Sequence, residues 1–247
     1  MREKISATLI VKNEEKNIAR CLKSLSWVDE IIVVDSYSTD RTVEICNEFN
    51  CKVIQTAWLG FGKTKKFAVD NVSHDWILSI DADEEVTPEL QKKIKAILVE
   101  PKYKGYYIKR KSFYLGKEVK HCGWNKDYPV RLFNRNFGNF NDKEVHESIK
   151  IKSEKFKIHE PLLHYTYPTI ASHIEKVNRY SSLAAEELIK KEKYYSVFSA
   201  VIFGIVRFIK MYFIQLGFLD GRIGFILCYN SAFSVYLKYV KTCQIKK

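Results

Sequence analysis

Within the first 80 residues, four short runs rich in aliphatic and β-branched side chains, ISATLIV (5–11), IIVVD (31–35), KVIQT (52–56) and WILSI (76–80), alternate with longer polar stretches. The stretches between them carry apolar residues at helical spacing. In EEKNIARCLKSL, residues Ile18, Cys21, Leu22 and Leu25 share one face. STDRTVEICNEF places Val43, Ile45, Cys46 and Phe49 inward, with Ser38 or Thr39 read as its N-cap. Connections long enough to hold a helix set successive strands parallel. The expectation is an α/β chain: a mostly parallel, Rossmann-like sheet with helices on both faces and ligands bound beyond the carboxyl ends of the strands. Pro88 sits where a first helical turn begins, and ELQKKIKAIL reads as the helix that follows.

The fourth run ends in a concentration of charge. WILSI passes directly into DADEEV, which holds four acids at Asp81, Asp83, Glu84 and Glu85. Carboxylates that close repel one another, and unpaired charge in a low-dielectric site is costly, so a positive group is expected among them. Asp81 and Asp83, one residue apart at a strand end, can aim oxygens at one point outside the sheet, which suits Mg²⁺ or Mn²⁺. A solvated acidic turn capping the next helix is the other reading. Asp35, at the end of another strand, favours the metal. GFGKTKK lacks the GxxxxGK[ST] spacing and does not follow the first strand, so a diphosphate would have to be held through the metal.

A formal net charge of +12 and a pI near 9.3 call for an anionic partner: nucleic acid, a membrane surface or a phosphorylated substrate. The cations are dense from Lys102 to Lys120, interleaved with Tyr103, Tyr106, Tyr107, Phe113 and Tyr114. That pattern suits stacked nucleic-acid bases, a phosphorylated sugar, or simply a strand pair with one solvated lysine face. No nucleic-acid-binding motif accompanies it, and nucleic acid is not expected as a partner. Six cysteines lie at 21, 46, 51, 122, 228 and 243 without CxxC spacing, which fits a reducing cytosol. MREK leads straight into a strand, with no signal peptide visible.

The last fifty residues differ in character. Before them, TIASHIEKVNRYSSLAAEELIKKEK (169–193) reads as a linking helix. YYSVFSAVIFGIV (194–206) is uncharged but only 13 residues long before Arg207 and Lys210, and IGFILCYNSAFSVYL (223–237) is 15 before Lys238. Both fall short of the ~20 apolar residues that span a bilayer. They are expected to lie in the interface of an anionic leaflet, or else to cover the α/β domain or make a dimer. The boundaries expected are 1–168 for the α/β domain and 169–247 for a helical, membrane-associating region.

Four segments, LIVKNEEKNIARCLKSL, IIVVDSYSTDRTVEI, GFGKTKKFAV and DWILSIDADEEVTPEL, resemble in order and spacing the nucleotide-sugar half of family-two glycosyltransferases of the GT-A fold. The later pieces YPVRLFNR, EVHESI, LLHYTYPTIASHIEKVNRY and GFLDGRIGF are similar to lipopolysaccharide core glycosyltransferases that act on inner-core heptose.

The resemblance implies roles. Asp35 would recognise the nucleoside by accepting from the uracil ring; its alternative is capping the STDRT turn. Asp81 would face ribose and metal, and Asp83 would ligate the cation bridging the diphosphate. Glu84 and Glu85 would be supporting or surface groups. Lys65 is a candidate for the diphosphate, although Lys66 stands where relatives carry Asn and Thr64 where Gln is common; a solvated lysine face explains it as well. Glu147 would be the base that deprotonates the acceptor hydroxyl. Arg131 would contact donor phosphates in a bidentate manner or orient Glu147. His164 would be a further metal ligand, a diphosphate donor or a core histidine; His121, His146, His159 and His173 are assigned no role. The reaction implied is a single inverting displacement that moves a hexose, glucose in the nearest resemblance, from a UDP-sugar to a lipid-linked anionic saccharide at the cytoplasmic face of the inner membrane. Transfer to a peptide or polyprenyl phosphate, and non-catalytic binding of a sugar nucleotide or membrane surface, are the alternatives.

Overall fold

The computed structural model describes residues 2–141 and 148–245. Strand β1 (Ile5–Val11) lies between parallel neighbours β2 (Glu30–Asp35) and β4 (Trp76–Ser79), and β3 (Lys52–Gln55) adds parallel to β2. Four more strands extend the sheet: β5 (Glu84–Val86), β6 (Gly105–Tyr114), β8 (Val130–Asn134) and β11 (Lys155–Tyr167), in the order β3-β2-β1-β4-β8-β6-β11-β5. A short β7 (Lys117–Glu118) pairs with β6, while β9 (Gly138–Phe140) and β10 (Ile149–Ile151) form a separate antiparallel pair.

The sheet is therefore mixed rather than mostly parallel. Its parallel part is the first four strands, each returned by a helix. Beyond β4, the pairs β4–β8, β6–β8 and β5–β11 are antiparallel.

Helices cover both faces as expected. On one face α1 (Ile18–Ser24), α2 (Thr42–Glu48) and α4 (Pro88–Ile97) bury Leu22, Cys46, Leu90 and Ile94 against Leu9, Val33 and Leu78. On the other, α3 (Phe61–Asp70) packs Ala68 and Val69 onto Ile32, Val34, Ile77 and Phe133. Adjacent residues of β2 and β4 thus enter opposite cores, the period-two behaviour of a strand buried on both sides. Thr87 caps α4 by accepting from Leu90 N, with Pro88 at its first position. Helix α2 begins later than the capping signal indicated: its first residue is Thr42, and Ser38 instead serves the loop around Asp35.

The chain forms two compact units. One holds the chain up to Arg110 with Tyr128–His164; the other holds Lys111–Asp127 with the chain from Tyr165 on. In the second, α5 (Ile170–Lys190) starts with a reciprocal box in which Thr169 accepts from Ser172 N. Helix α6 (Val197–Ile209) runs on through a π turn, Lys210–Ile214, and a short 3₁₀ turn leads into α7 (Gly221–Val240). Phe203 meets Tyr239 and Phe208 meets Phe225, so α6 and α7 are antiparallel. The apolar core of this unit joins Tyr114, Val119 and Cys122 to Met211, Leu227 and Cys228.

Counting uncharged runs understated these helices. Val197–Ile214 is one continuous 18-residue helical stretch because Arg207 and Lys210 do not interrupt it, and with Gly217–Cys243 it is long and apolar enough to cross a membrane by length and composition.

Candidate active site

The loops that follow β1 and β2 are stitched together. Asn13 N donates to Ser38 Oγ at 2.8 Å, and Asn13 Oδ1 accepts from Thr39 N at 2.8 Å. Thr42 Oγ1 and an Asp40 carboxylate oxygen accept from the amides of Glu14 and Glu15. Asp35, the last residue of β2, is fully buried; it accepts from Ser38 N and Ser38 Oγ, and Gln55 Nε2 donates to it at 3.0 Å. The capping role considered for Asp35 is thus realised. Two residues on, Tyr37 adopts φ 55° and is 57% exposed, a left-handed backbone that a bulky residue holds at a cost of order 1–3 kcal/mol. Nothing in the spacing singled out Tyr37.

At the end of β4 the acids are met by the chain's own cations. Asp81 pairs with Lys65 Nζ at 3.0 Å and with Arg131. Glu84, with no exposed surface, accepts from Arg131 Nη2 at 2.6 Å, lies 3.4 Å from Arg110 Nη1, and accepts from Asp81 N at 2.9 Å. The positive charge expected among these carboxylates is therefore Lys65, Arg131 and Arg110. Lys65 is 6% exposed, so it is not part of a solvated lysine face: α3 turns it inward, where it also lies over the Phe140 ring. Burial would raise the Asp81 carboxyl, but Arg131 and Lys65 beside it hold it well below the usual carboxylate range. Burial likewise opposes the Arg131 charge, and Asp81 and Glu84 reverse that and strengthen it. Arg131 Nε is buried without a hydrogen-bond partner among the described residues.

Asp83 also meets a histidine. Its Oδ2 lies 3.5 Å from His164 Nε2, and β11 delivers His164 in register with Glu84. Among the described residues no group of three or more His, Cys, Asp or Glu is placed to hold a metal ion. Asp83 and His164 nevertheless supply two donors, and Mg²⁺ is commonly bound through one or two carboxylates with substrate phosphates completing the shell. The Asp83 carboxylate suits Mg²⁺ or Mn²⁺, and His164 would be a softer second donor.

Glu147, with His146 beside it, lies outside the described residues. Arg110 and Glu84 were missed or undervalued in the sequence. Their only signal was position: Glu84 opens the strand that pairs with β11, so its side chain is committed to one face of the sheet.

Residues 6–162 match the family model Glycosyl transferase family 2. An uncharacterised glycosyltransferase of Rickettsia typhi is 35% identical over 98% of this chain and 88% of its own length. The lipopolysaccharide core biosynthesis glycosyltransferase LpsC of Rhizobium meliloti is 26% identical over 97% of this chain and 92% of its own. Among solved structures, the mannosyltransferase PcManGT from Pyrobaculum calidifontis, in complex with GDP-Man and Mn²⁺, superposes with a TM-score of 0.52 at 14% identity, covering 77% of this chain and 65% of that one. With a sheet of this topology, an acidic turn at its carboxyl edge and a family match over most of that sheet, the chain belongs to glycosyl transferase family 2 and is a glycosyltransferase of the GT-A fold.

Proposed function

We propose that this glycosyltransferase moves a hexose from a UDP-sugar to a lipid-linked anionic saccharide of the lipopolysaccharide core, with inversion, at the cytoplasmic face of the inner membrane. The observation that carries the donor half is the meeting of acids and cations at the end of β4. Asp81 and Glu84 pair with Arg131, Lys65 and Arg110, and Asp83 lies 3.5 Å from His164. The acceptor class rests on the likeness to LpsC along nearly the whole chain.

In this reading the exposed Tyr37 ring lies against the base, and Asp35, rigid in its ring of donors, holds the loop that carries it. Asp81 faces the ribose, its carboxylate kept ionised by its two cations. Lys65 and Arg131 set a positive field at the diphosphate, where preorganised charge stabilises the departing group without reorganising during the reaction. Asp83 and His164 would hold Mg²⁺ or Mn²⁺, which would supply charge neutralisation for the leaving diphosphate. Glu147 takes the acceptor hydroxyl proton as that oxygen attacks the anomeric carbon.

The two apolar helices, in the unit that holds Lys111–Asp127 and the chain from Tyr165 on, fit a membrane-associating region that brings the catalytic unit to a lipid-borne acceptor. The deciding experiment is hydrolysis and transfer with a panel of nucleotide sugars, with and without Mn²⁺, on membranes that hold or have lost the extractable glycolipid. Turnover of UDP-hexose only when the glycolipid is present supports the reading. Equal turnover on glycolipid-free membranes with a peptide or polyprenyl phosphate overturns the acceptor.

A further inference from the structure

Between α6 and α7 lies a cleft of about 410 Å³, lined by Val201, Ile205, Phe208, Tyr229, Phe233 and Tyr236. It exists because Gly204 brings the helices close: a Cβ there would sit 3.3 Å from Ala232 O, and small residues on both helices leave the space beside them open. Its volume lies within the range of small-ligand pockets. Water gains little in so apolar a site, and an empty cleft forfeits dispersion contacts along its walls. Phe225 is shared with a second cavity of about 300 Å³, which adds Tyr212 and the exposed cation Arg222. The two share the Phe225 side chain, and an apolar slot with an exposed cation close by complements an acyl chain attached to a negatively charged headgroup.

We propose that this cleft holds one acyl chain of an anionic membrane phospholipid, with the headgroup phosphate at Arg222. The inference rests on the membrane-associating reading of these helices and goes beyond it. Exposed apolar residues such as Phe198, Phe213 and Ile214 account for general immersion in lipid, whereas the cleft selects a single chain.

The test uses the full chain bound to vesicles containing phosphatidylglycerol with a diazirine in its acyl chain. Photolysis followed by peptide mapping should place label on Ile205, Tyr229 or Phe233. Ala232→Trp fills the cleft and excludes several methylenes, so label there should fall at least about tenfold while vesicle co-sedimentation is unchanged. Val201→Trp, at a position 42% exposed, is the second filling variant should Ala232→Trp fail to fold. Arg222→Gln should reduce the preference for labelled phosphatidylglycerol over labelled phosphatidylcholine. Label confined to Phe198 and Ile214, and indifferent to both filling variants, would overturn the proposal. So would a cleft shielded from label in a dimer, which would make a second copy the occupant. Absence of vesicle binding would instead remove the membrane reading beneath it, and bound protein with an unlabelled cleft would remove this inference alone.

Discussion

Glu84 is cut off from water, and its carboxylate joins Arg131, Arg110 and the Asp81 amide. Taking away its charge leaves a buried guanidinium half-paired, a loss that typically costs about 3–5 kcal/mol. Glu84→Gln is expected to lower stability by about 3 kcal/mol in urea unfolding and to weaken UDP binding, because Arg131 is no longer held toward Asp81; an unchanged midpoint would show that Arg110 and Arg131 find other partners. Asp81 has a direction of its own. Its folded pKa lies below its unfolded value, so the stability it contributes is complete above the ordinary carboxylate range and is lost as pH falls through and below about 3.9. Asp83 is half-buried at the turn after β4. Asp83→Ala should leave the fold intact, shown by an unaltered thermal transition, yet remove turnover and most of the Mn²⁺-dependent part of UDP affinity; undiminished UDP affinity with Mn²⁺ would take the metal away from Asp83. Glu147→Gln keeps shape without basicity, so donor binding should persist while transfer falls by about 10²-fold or more, and near-normal transfer would pass the role to Asp142 or Glu144. The strand-end aspartates were legible because a buried run ending in an acid has few other uses. Glu84 was not, since four acids in a row of five look alike until the turn between β4 and β5 sends one of them inward.

Elements of the second unit are joined by a buried polar contact. His173 Nδ1 of α5 lies 2.8 Å from Tyr114 Oη of β6 and 3.2 Å from Asn230 Nδ2 of α7, and the imidazole stacks on Tyr167. A neutral ring accepts there. Burial, aided by nearby Lys176, pushes the His173 pKa down from its ordinary 6.5 to about 4. The folded value is depressed, so the stability from this contact is present in full above about pH 6.5 and is lost as pH falls toward 4. Melting temperatures between pH 7 and 4.5 should drop more steeply for the native chain than for His173→Gln, which cannot titrate; parallel curves would show that His173 is not the group responsible. The GFLDGRIGF segment has a similar packing logic. A Cβ at Gly224 would come within 1.9 Å of Gly217 O, which only a shift of backbone can relieve. The Asp220 carboxylate in the same segment accepts from the amides of Lys120 and His121 at 3.2 and 2.9 Å. Gly224→Ala is accordingly expected to destabilise the helical unit by more than the ~1 kcal/mol helix propensity it gains, read as a lower thermal midpoint with UDP binding retained. A higher midpoint would mean that the 3₁₀ turn gives way at little cost.

At the scale of the molecule, cations and an exposed apolar ridge share the helices α6 and α7. Phe198 and Ile214 are 75% and 73% exposed, and Arg207, Lys210, Arg222 and Lys238 stand on the same pair of helices. Binding to anionic vesicles should combine apolar burial with roughly 1 kcal/mol per cation close to the surface. Raised salt should therefore weaken co-sedimentation without abolishing it, and Lys210→Gln with Arg222→Gln should weaken it further on anionic but not neutral vesicles. If the full chain stays in the supernatant with both lipids, the apolar ridge is a contact between copies. Removing the helices outright is a poor test, because Tyr114, Val119 and Cys122 pack against Met211, Leu227 and Cys228 and would lose their core.

The sequence by itself determined the alternation of strands and helices, the two-faced burial of β1, β2 and β4, and the strand-end positions of Asp35, Asp81 and Asp83. Each follows from local periodicity or from a residue's place in one element. What only the tertiary structure decided depends on residues far apart in the chain. Lys65 and Arg131 reach Asp81 from α3 and β8, and His164 arrives from β11 beside Asp83. The antiparallel half of the sheet and the membership of Lys111–Asp127 in the helical unit are likewise set by long-range pairing. Local patterning states which residues must leave water; which partners they find there is settled by the packing of distant segments against one another.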